Sequence, residues 1–116
     1  MFIDVDRLKD VVIRGGENIY AAEVEAALYE HPDVTEAAII GVPHARLGEE
    51  VGAVVRVRDG STLTDDEVRS HVAARLAGFK VPKSISFVTE LPRNASGKVR
   101  KTELRAPHWH AAGRGV

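Results

Sequence analysis

The chain has no cysteine. A disulfide framework, a zinc–thiolate site and a thiol nucleophile are therefore excluded. Long apolar runs are missing as well. None approaches the roughly 18 residues of a membrane span, and Met1-Phe2-Ile3-Asp4 lacks the basic region and apolar core of a secretory leader. Charge of one sign is also lacking, since 16 Lys and Arg stand against 17 Asp and Glu for a formal net charge of -1. Such a balance supplies no overall basic field, so nucleic acid is not an expected partner. Aromatic residues are scarce at 5%, which leaves aliphatic side chains to build the interior. With 44% hydrophobic residues among 116, one modest core and one domain are expected. A cytoplasmic location agrees with all of this.

The local patterns give an order of elements. Residues 2–5 and 11–14 alternate as strands, with the charged stretch 6–10 between them as an exposed connection. A strand with no preceding cap or turn suggests a piece of a longer protein, Met1 being an added start. Gly15-Gly16-Glu17-Asn18 reads as a hairpin turn. Residues 21–31 form a helix with Val24, Ala27, Leu28 and His31 on its packing face and Glu23, Glu25 and Glu30 outside it. Strands over 34–42 and 51–57, separated by a loop over 43–50, should pair antiparallel. Asp59-Gly60 is a turn. Thr64 to Glu67 is a capping box for a helix whose stripe is Val68, Val72 and Leu76 and which stops at Gly78. A third strand covers 84–88, and a short helix starts over 102–105 before Pro107 cuts it. Residues 106–116 read as a tail, frayed from Gly113 onward. The sum is an α+β fold, a small mainly antiparallel sheet with packed helices in a single domain. The tail's His108-Trp109-His110 has no carboxylate support, so no metal is expected.

Leu91-Pro92-Arg93-Asn94-Ala95-Ser96-Gly97-Lys98-Val99-Arg100-Lys101 organises the rest. Pro92 stops a ladder or helix, Asn94, Ser96 and Gly97 are turn formers, and Lys98 follows at once. Read by itself, this is a solvated basic turn or an anion site. It is not a P-loop, which needs Gly where Pro92 stands and Ser or Thr where Val99 stands.

This segment, followed by Glu103-Leu104-Arg105, resembles the last core motif of the adenylate-forming enzymes, which include acyl-CoA synthetases, aryl-CoA ligases, luciferases and peptide-synthetase adenylation domains. A second match precedes it in Asp6-Arg7-Leu8-Lys9-Asp10, Arg14-Gly15-Gly16-Glu17-Asn18-Ile19-Tyr20 and Glu23-Val24-Glu25. Two motifs in the right order are far more specific than one. The chain resembles the C-terminal lid alone, and most closely that of a bacterial fatty-acyl-CoA synthetase. The resemblance implies a preceding segment and hinge over 1–9, the lid over 10–105 and a tail over 106–116.

It also implies roles. Lys98 is the catalytic lysine of acyl-adenylate formation, Lys9 the hinge, and Gly15, Gly16 and Glu17 the loop facing the pantetheine arm of CoA. Lys80 and Lys83 would meet CoA phosphates, although Val81 stands where some relatives have Arg. Leu47 stands where some have Trp. ATP and CoA are the implied substrates together with a carboxylic acid, by resemblance a fatty one. Mg²⁺ is held mainly by the absent N-terminal adenylation domain, which is the implied partner. Lys98 also resembles a site at which a lysine acetyltransferase switches some bacterial synthetases off. Such a lid is not expected to act alone. Two other readings remain open: transfer to a carrier protein's phosphopantetheine instead of CoA, and a stand-alone interaction domain without catalysis.

Overall fold

A computed structural model describes residues 10–112. The hinge expected at Lys9, the strand expected over 2–5 and the end from Gly113 lie outside the described residues.

The chain opens with a hairpin of β1 (Val11–Arg14) and β2 (Glu17–Tyr20), paired from Val11↔Tyr20 to Arg14↔Glu17. Its two-residue loop needs positive φ twice, and Gly15 at 55° with Gly16 at 87° supplies it. Side chains with a Cβ resist that geometry. Helix α1 (Ala21–Tyr29) follows directly. It ends two residues short of the expected His31, because Pro32 disfavours helical backbone at the residue before it. The expected placement of Glu25 outside the packing face is corrected too: Glu25 is buried, 6% exposed.

Strands β3 (Val34–His44) and β4 (Gly48–Val57) form the central antiparallel hairpin. The eight-residue loop expected over 43–50 shrinks to residues 45–47. His44 Nδ1 accepts from the N–H of Arg46 at 3.2 Å and of Leu47 at 3.1 Å, and Gly48 resumes the strand at φ 81°. Pro43 sits inside β3 without breaking it. Odd-numbered residues of β3 turn their backbone groups away from β4, so the missing N–H of Pro43 removes no ladder bond.

That outward edge of β3 is closed by side chains. Tyr29 Oη accepts from Ala37 N–H at 3.0 Å, the Glu25 carboxylate accepts from Ile39 N–H at 2.9 Å, and Trp109 Nε1 donates to Gly41 C=O at 2.9 Å. Three caps at alternate residues leave little for another strand to pair with.

On its other side β4 meets β1 at Arg14↔Gly48 and, in parallel, β5 (Ser84–Phe87) along residues 52–55. The sheet order is β2-β1-β4-β3, with β5 off this path against β4. Helix α2 (Asp65–Ala73) carries the expected capping box, with Thr64 Oγ1 accepting from Glu67 N–H at 3.2 Å. It ends before Leu76, and a 3-10 turn over Gly78–Lys80 leads toward β5.

Alternation along β3 and β4 divides the interior. Ala37, Ile39, Val51, Ala53 and Val55 face α1 and α2 and meet Val24, Leu28, Val68 and Val72. Ala38, Ile40, Val42 and Val54 face the other way and are covered by Leu91, with Val88, Val99 and Leu104 against them. Burying a side chain such as Ile39 or Leu28 contributes roughly 1.5–3 kcal/mol. Helix α3 (Lys101–Ala111) corrects the expectation of a short helix cut at Pro107. It continues because Leu104 packs on the second cluster and Trp109 is bonded to β3, contacts that offset the backbone bond Pro107 forfeits.

Candidate functional site

The Lys98 loop is shaped by its own side chains. Asn94 Oδ1 accepts from Ser96 N–H at 3.0 Å, Ser96 Oγ at 2.8 Å and Lys98 N–H at 3.0 Å. Asn94 N–H donates to Lys98 C=O at 2.9 Å, and Gly97 turns the chain at φ 85°. Arg93 and Val99 pair across the base, where Arg93 Nη1 donates to Gly97 C=O at 2.7 Å. The other arm of Arg93 bonds Glu36 on β3, which also accepts from Arg56 at 3.1 Å. The Arg93 guanidinium, helped by Arg56, holds the Glu36 carboxyl below its ordinary range despite partial burial. Lys98 is exposed at the tip of this braced turn. A compact cation on a rigid stem can place a point charge between acceptors of a substrate.

The glycine turn is braced just as closely, at another place. Gly15 N–H donates to Leu47 C=O at 2.9 Å, and Ile13 N–H donates to Glu49 Oε1 at 2.7 Å. Arg14 Nε reaches both oxygens of Glu50, at 2.8 and 2.9 Å, and Glu50 is 5% exposed. A Cβ on Gly15 would lie 2.7 Å from Leu47 Cδ2. Leu47, read above only as a departure from Trp, is thus the surface against which the turn rests. Gly15, Gly16 and Glu17 are exposed.

These two regions stand at opposite ends of β3 and β4. Glu36, where the Lys98 loop is tied, pairs with Arg56, while Leu47 tops the turn at His44↔Gly48. The residues from 36 to 44 span roughly 27 Å of strand. Lys83, just before β5, lies beside the half of β4 nearer the glycine turn, with its N–H on Val51 C=O at 2.9 Å and its side chain exposed. Lys80 is engaged within the domain. Its ammonium bonds Glu23 at 2.6 Å and lies 5.6 Å from the centre of the Phe79 ring. Val81 is buried in the first cluster.

Sequence reasoning missed Glu50, Lys101 and the β3 caps. Lys101 Nζ bonds Asp10 and, at 2.7 Å, Glu25. Each is a long-range contact that no local period reveals. Among the described residues no three His, Asp or Glu side chains converge as a metal site requires, and no helix is long and apolar enough to cross a membrane.

The profile of the AMP-binding enzyme C-terminal domain matches residues 23–98. The chain belongs to that family of C-terminal domains of AMP-binding enzymes. It is 54% identical over 101 residues to feruloyl-CoA synthase of an Amycolatopsis species, covering 87% of this chain and 21% of that protein. It is 46% identical over 101 residues to the mitochondrial medium-chain acyl-CoA ligase ACSF2 of Homo sapiens, covering 87% of this chain and 16% of the relative. Among solved structures, apo MatB from Rhodopseudomonas palustris superposes with a TM-score of 0.82 at 47% identity, over 85% of this chain and 20% of that one. The chain thus spans about a fifth of the length of the relatives it matches. The α+β fold with its mainly antiparallel sheet agrees with the expectation for a lid domain.

Proposed function

We propose that this chain works as the C-terminal domain of an ATP-dependent acid–CoA ligase, converting a fatty or aryl carboxylic acid to acyl-AMP and then to acyl-CoA in the cytoplasm. The observation that carries this is the separation of the two braced loops. Lys98 and the Gly15-Gly16 turn lie at opposite ends of one hairpin, too far apart to serve a single reacting centre together. A domain with two such ends suits two successive half-reactions, each end being presented to the adenylation domain in turn.

In the first, Lys98 donates to the acid's carboxylate and to the α-phosphate as negative charge shifts onto phosphoryl oxygen and pyrophosphate leaves. Such a preorganised contact acts on the transition state, and its loss costs roughly 3 kcal/mol or more. In the second, the glycine turn borders the path of the thiol, where an added side chain would narrow the way. Glu17 stands beside it, and Lys83 offers a charge for CoA phosphate. Lys80 contributes less, because Glu23 already neutralises it. That engagement favours one second reading, transfer to a carrier protein's phosphopantetheine, which needs no grip on CoA's nucleotide. Acetylation of Lys98 would stop the first step by removing its charge.

The test measures pyrophosphate release and acyl-CoA formation by the protein joining this chain to its adenylation domain, over a panel of fatty and aromatic acids. The expected result is turnover by wild type and, for Lys98→Ala, a fall in adenylation of about a hundredfold or more with thioester formation from added acyl-adenylate preserved. Equal loss of both steps refutes the role of Lys98. Adenylate without acyl-CoA supports the carrier protein, and absence of adenylation in wild type supports a non-catalytic interaction domain.

A further inference from the structure

Lys101 is placed as few surface lysines are. It opens α3 three residues after Lys98, its side chain is 19% exposed, and its ammonium lies between the carboxylates of Asp10 and Glu25. Glu25 has a side chain 7% exposed and also holds the N–H of Ile39. The opposite stem of the loop is fixed by Arg93 to Glu36. Both stems therefore end on β3, one at Glu36 directly and the other at Ile39 through Glu25. Only the Lys101 stem also reaches Asp10, the residue that leads into β1 and whose C=O accepts the first N–H of α1 at 3.0 Å.

A lysine on the surface keeps its rotamer freedom, whereas one shared by two carboxylates, one of them buried, is held in place. Removing its charge would take away the cation that Asp10 and Glu25 share, and the helix start that carries the loop would no longer be tied to either carboxylate. We propose that Lys101 is a positioning residue that locks the Lys98 loop to the start of β1, so that Asp10 and the catalytic ammonium move as one rigid piece. The proposal rests on the reading of Lys98 given above. Lys101 itself touches no substrate in this scheme and acts through Val99 and Arg100, the two residues that separate it from Lys98.

The test uses Lys101→Met, Lys101→Arg and Asp10→Asn in the full-length enzyme, each assayed for the two half-reactions. A displaced loop lysine should slow pyrophosphate release of Lys101→Met by about a hundredfold, because an ångström of misplacement is enough for that. Thioester formation from added acyl-adenylate should stay near wild type. Lys101→Arg should recover most of the first step, and Asp10→Asn, whose side chain is 23% exposed and leaves the Lys101–Glu25 bond in place, should show the same pattern more weakly. Proportional loss of both steps, failure of Arg to recover activity, or wild-type behaviour of Asp10→Asn overturns the proposal. Amide hydrogen exchange in the full-length enzyme gives a second readout. The Gly97 and Lys98 N–H groups, each bonded to Asn94, should exchange about tenfold faster in Lys101→Met while the β3–β4 ladder is unchanged. Unaltered exchange in the loop overturns the lock. If wild-type enzyme releases no pyrophosphate, the role of Lys98 is what fails, and the exchange rates alone decide whether Lys101 holds the loop.

Discussion

Replacing Gly15 by Ala perturbs the glycine turn at one atom, and Gly16→Ala beside it serves as the control. Both glycines have positive φ, 55° and 87°. Ala in the left-handed region costs roughly 1–2 kcal/mol, and the reduced freedom of the unfolded chain returns about 0.4–1 kcal/mol of it. Gly16→Ala should therefore destabilise by about 0–1.6 kcal/mol, since nothing lies within 4 Å of the added Cβ. At Gly15 the new Cβ meets Leu47 Cδ2 at 2.7 Å. Leu47 must leave its rotamer or the turn must lift off Leu47 C=O, adding about 1 kcal/mol. Urea unfolding of the wild type, the two alanine variants, Leu47→Ala and the double variant Gly15→Ala/Leu47→Ala measures this directly. The double variant should be more stable than the sum of the single losses by about 1 kcal/mol, because removing Cδ2 removes the clash. Equal costs at Gly15 and Gly16, or additivity within about 0.3 kcal/mol, would refute the claim that Leu47 is what the turn rests on. In the joined enzyme the same displacement should slow thioester formation and leave adenylation unchanged.

Two further outcomes are expected. Tyr29→Phe removes the partner of the Ala37 N–H, and a buried donor left alone should cost about 1–3 kcal/mol in urea unfolding, whereas a loss within error would mean that the cap does not stabilise the β3 edge. Glu36 has its pKa depressed by Arg93 from an ordinary 4.5, so the unfolded chain takes up the proton first as pH falls. Its contribution to stability is complete above that value and is lost as pH drops through the lower folded one. The stability difference between wild type and Glu36→Gln should be constant above pH 4.5 and shrink below it. A pH-independent difference would remove Arg93–Glu36 as the anchor of the Lys98 loop.

Apart from the early end of α1, which Pro32 sets locally, the larger departures from the sequence reading involve partners distant in the chain. Glu25 looks like a solvent residue on the helical period, since it falls off the Val24–Leu28 face. It is buried because α1 lies against the edge of β3 as well as its face. Trp109 stands in what reads as a tail, and its bond to Gly41 crosses most of the chain. A lone tryptophan beyond a proline was the one available hint that the tail was docked. The loop expected over 43–50 is shorter for a related reason. Glu49 and Glu50 look like loop residues until their carboxylates are seen gripping Ile13 N–H and Arg14 on β1.

The sequence alone determined the elements that depend on neighbours in the chain. The paired glycines set the turn, Thr64 and Glu67 the cap, alternation the β3–β4 hairpin, and Asn94, Ser96 and Gly97 the loop that holds out Lys98, because turn chemistry and side-chain period are local. Only the tertiary structure decided that the Lys98 loop and the glycine turn stand at opposite ends of one hairpin, that Lys80 is held by Glu23, and that Lys101 binds Asp10 and Glu25. Those facts depend on which strands pair and which carboxylates lose their water, and no window of neighbouring residues contains that information.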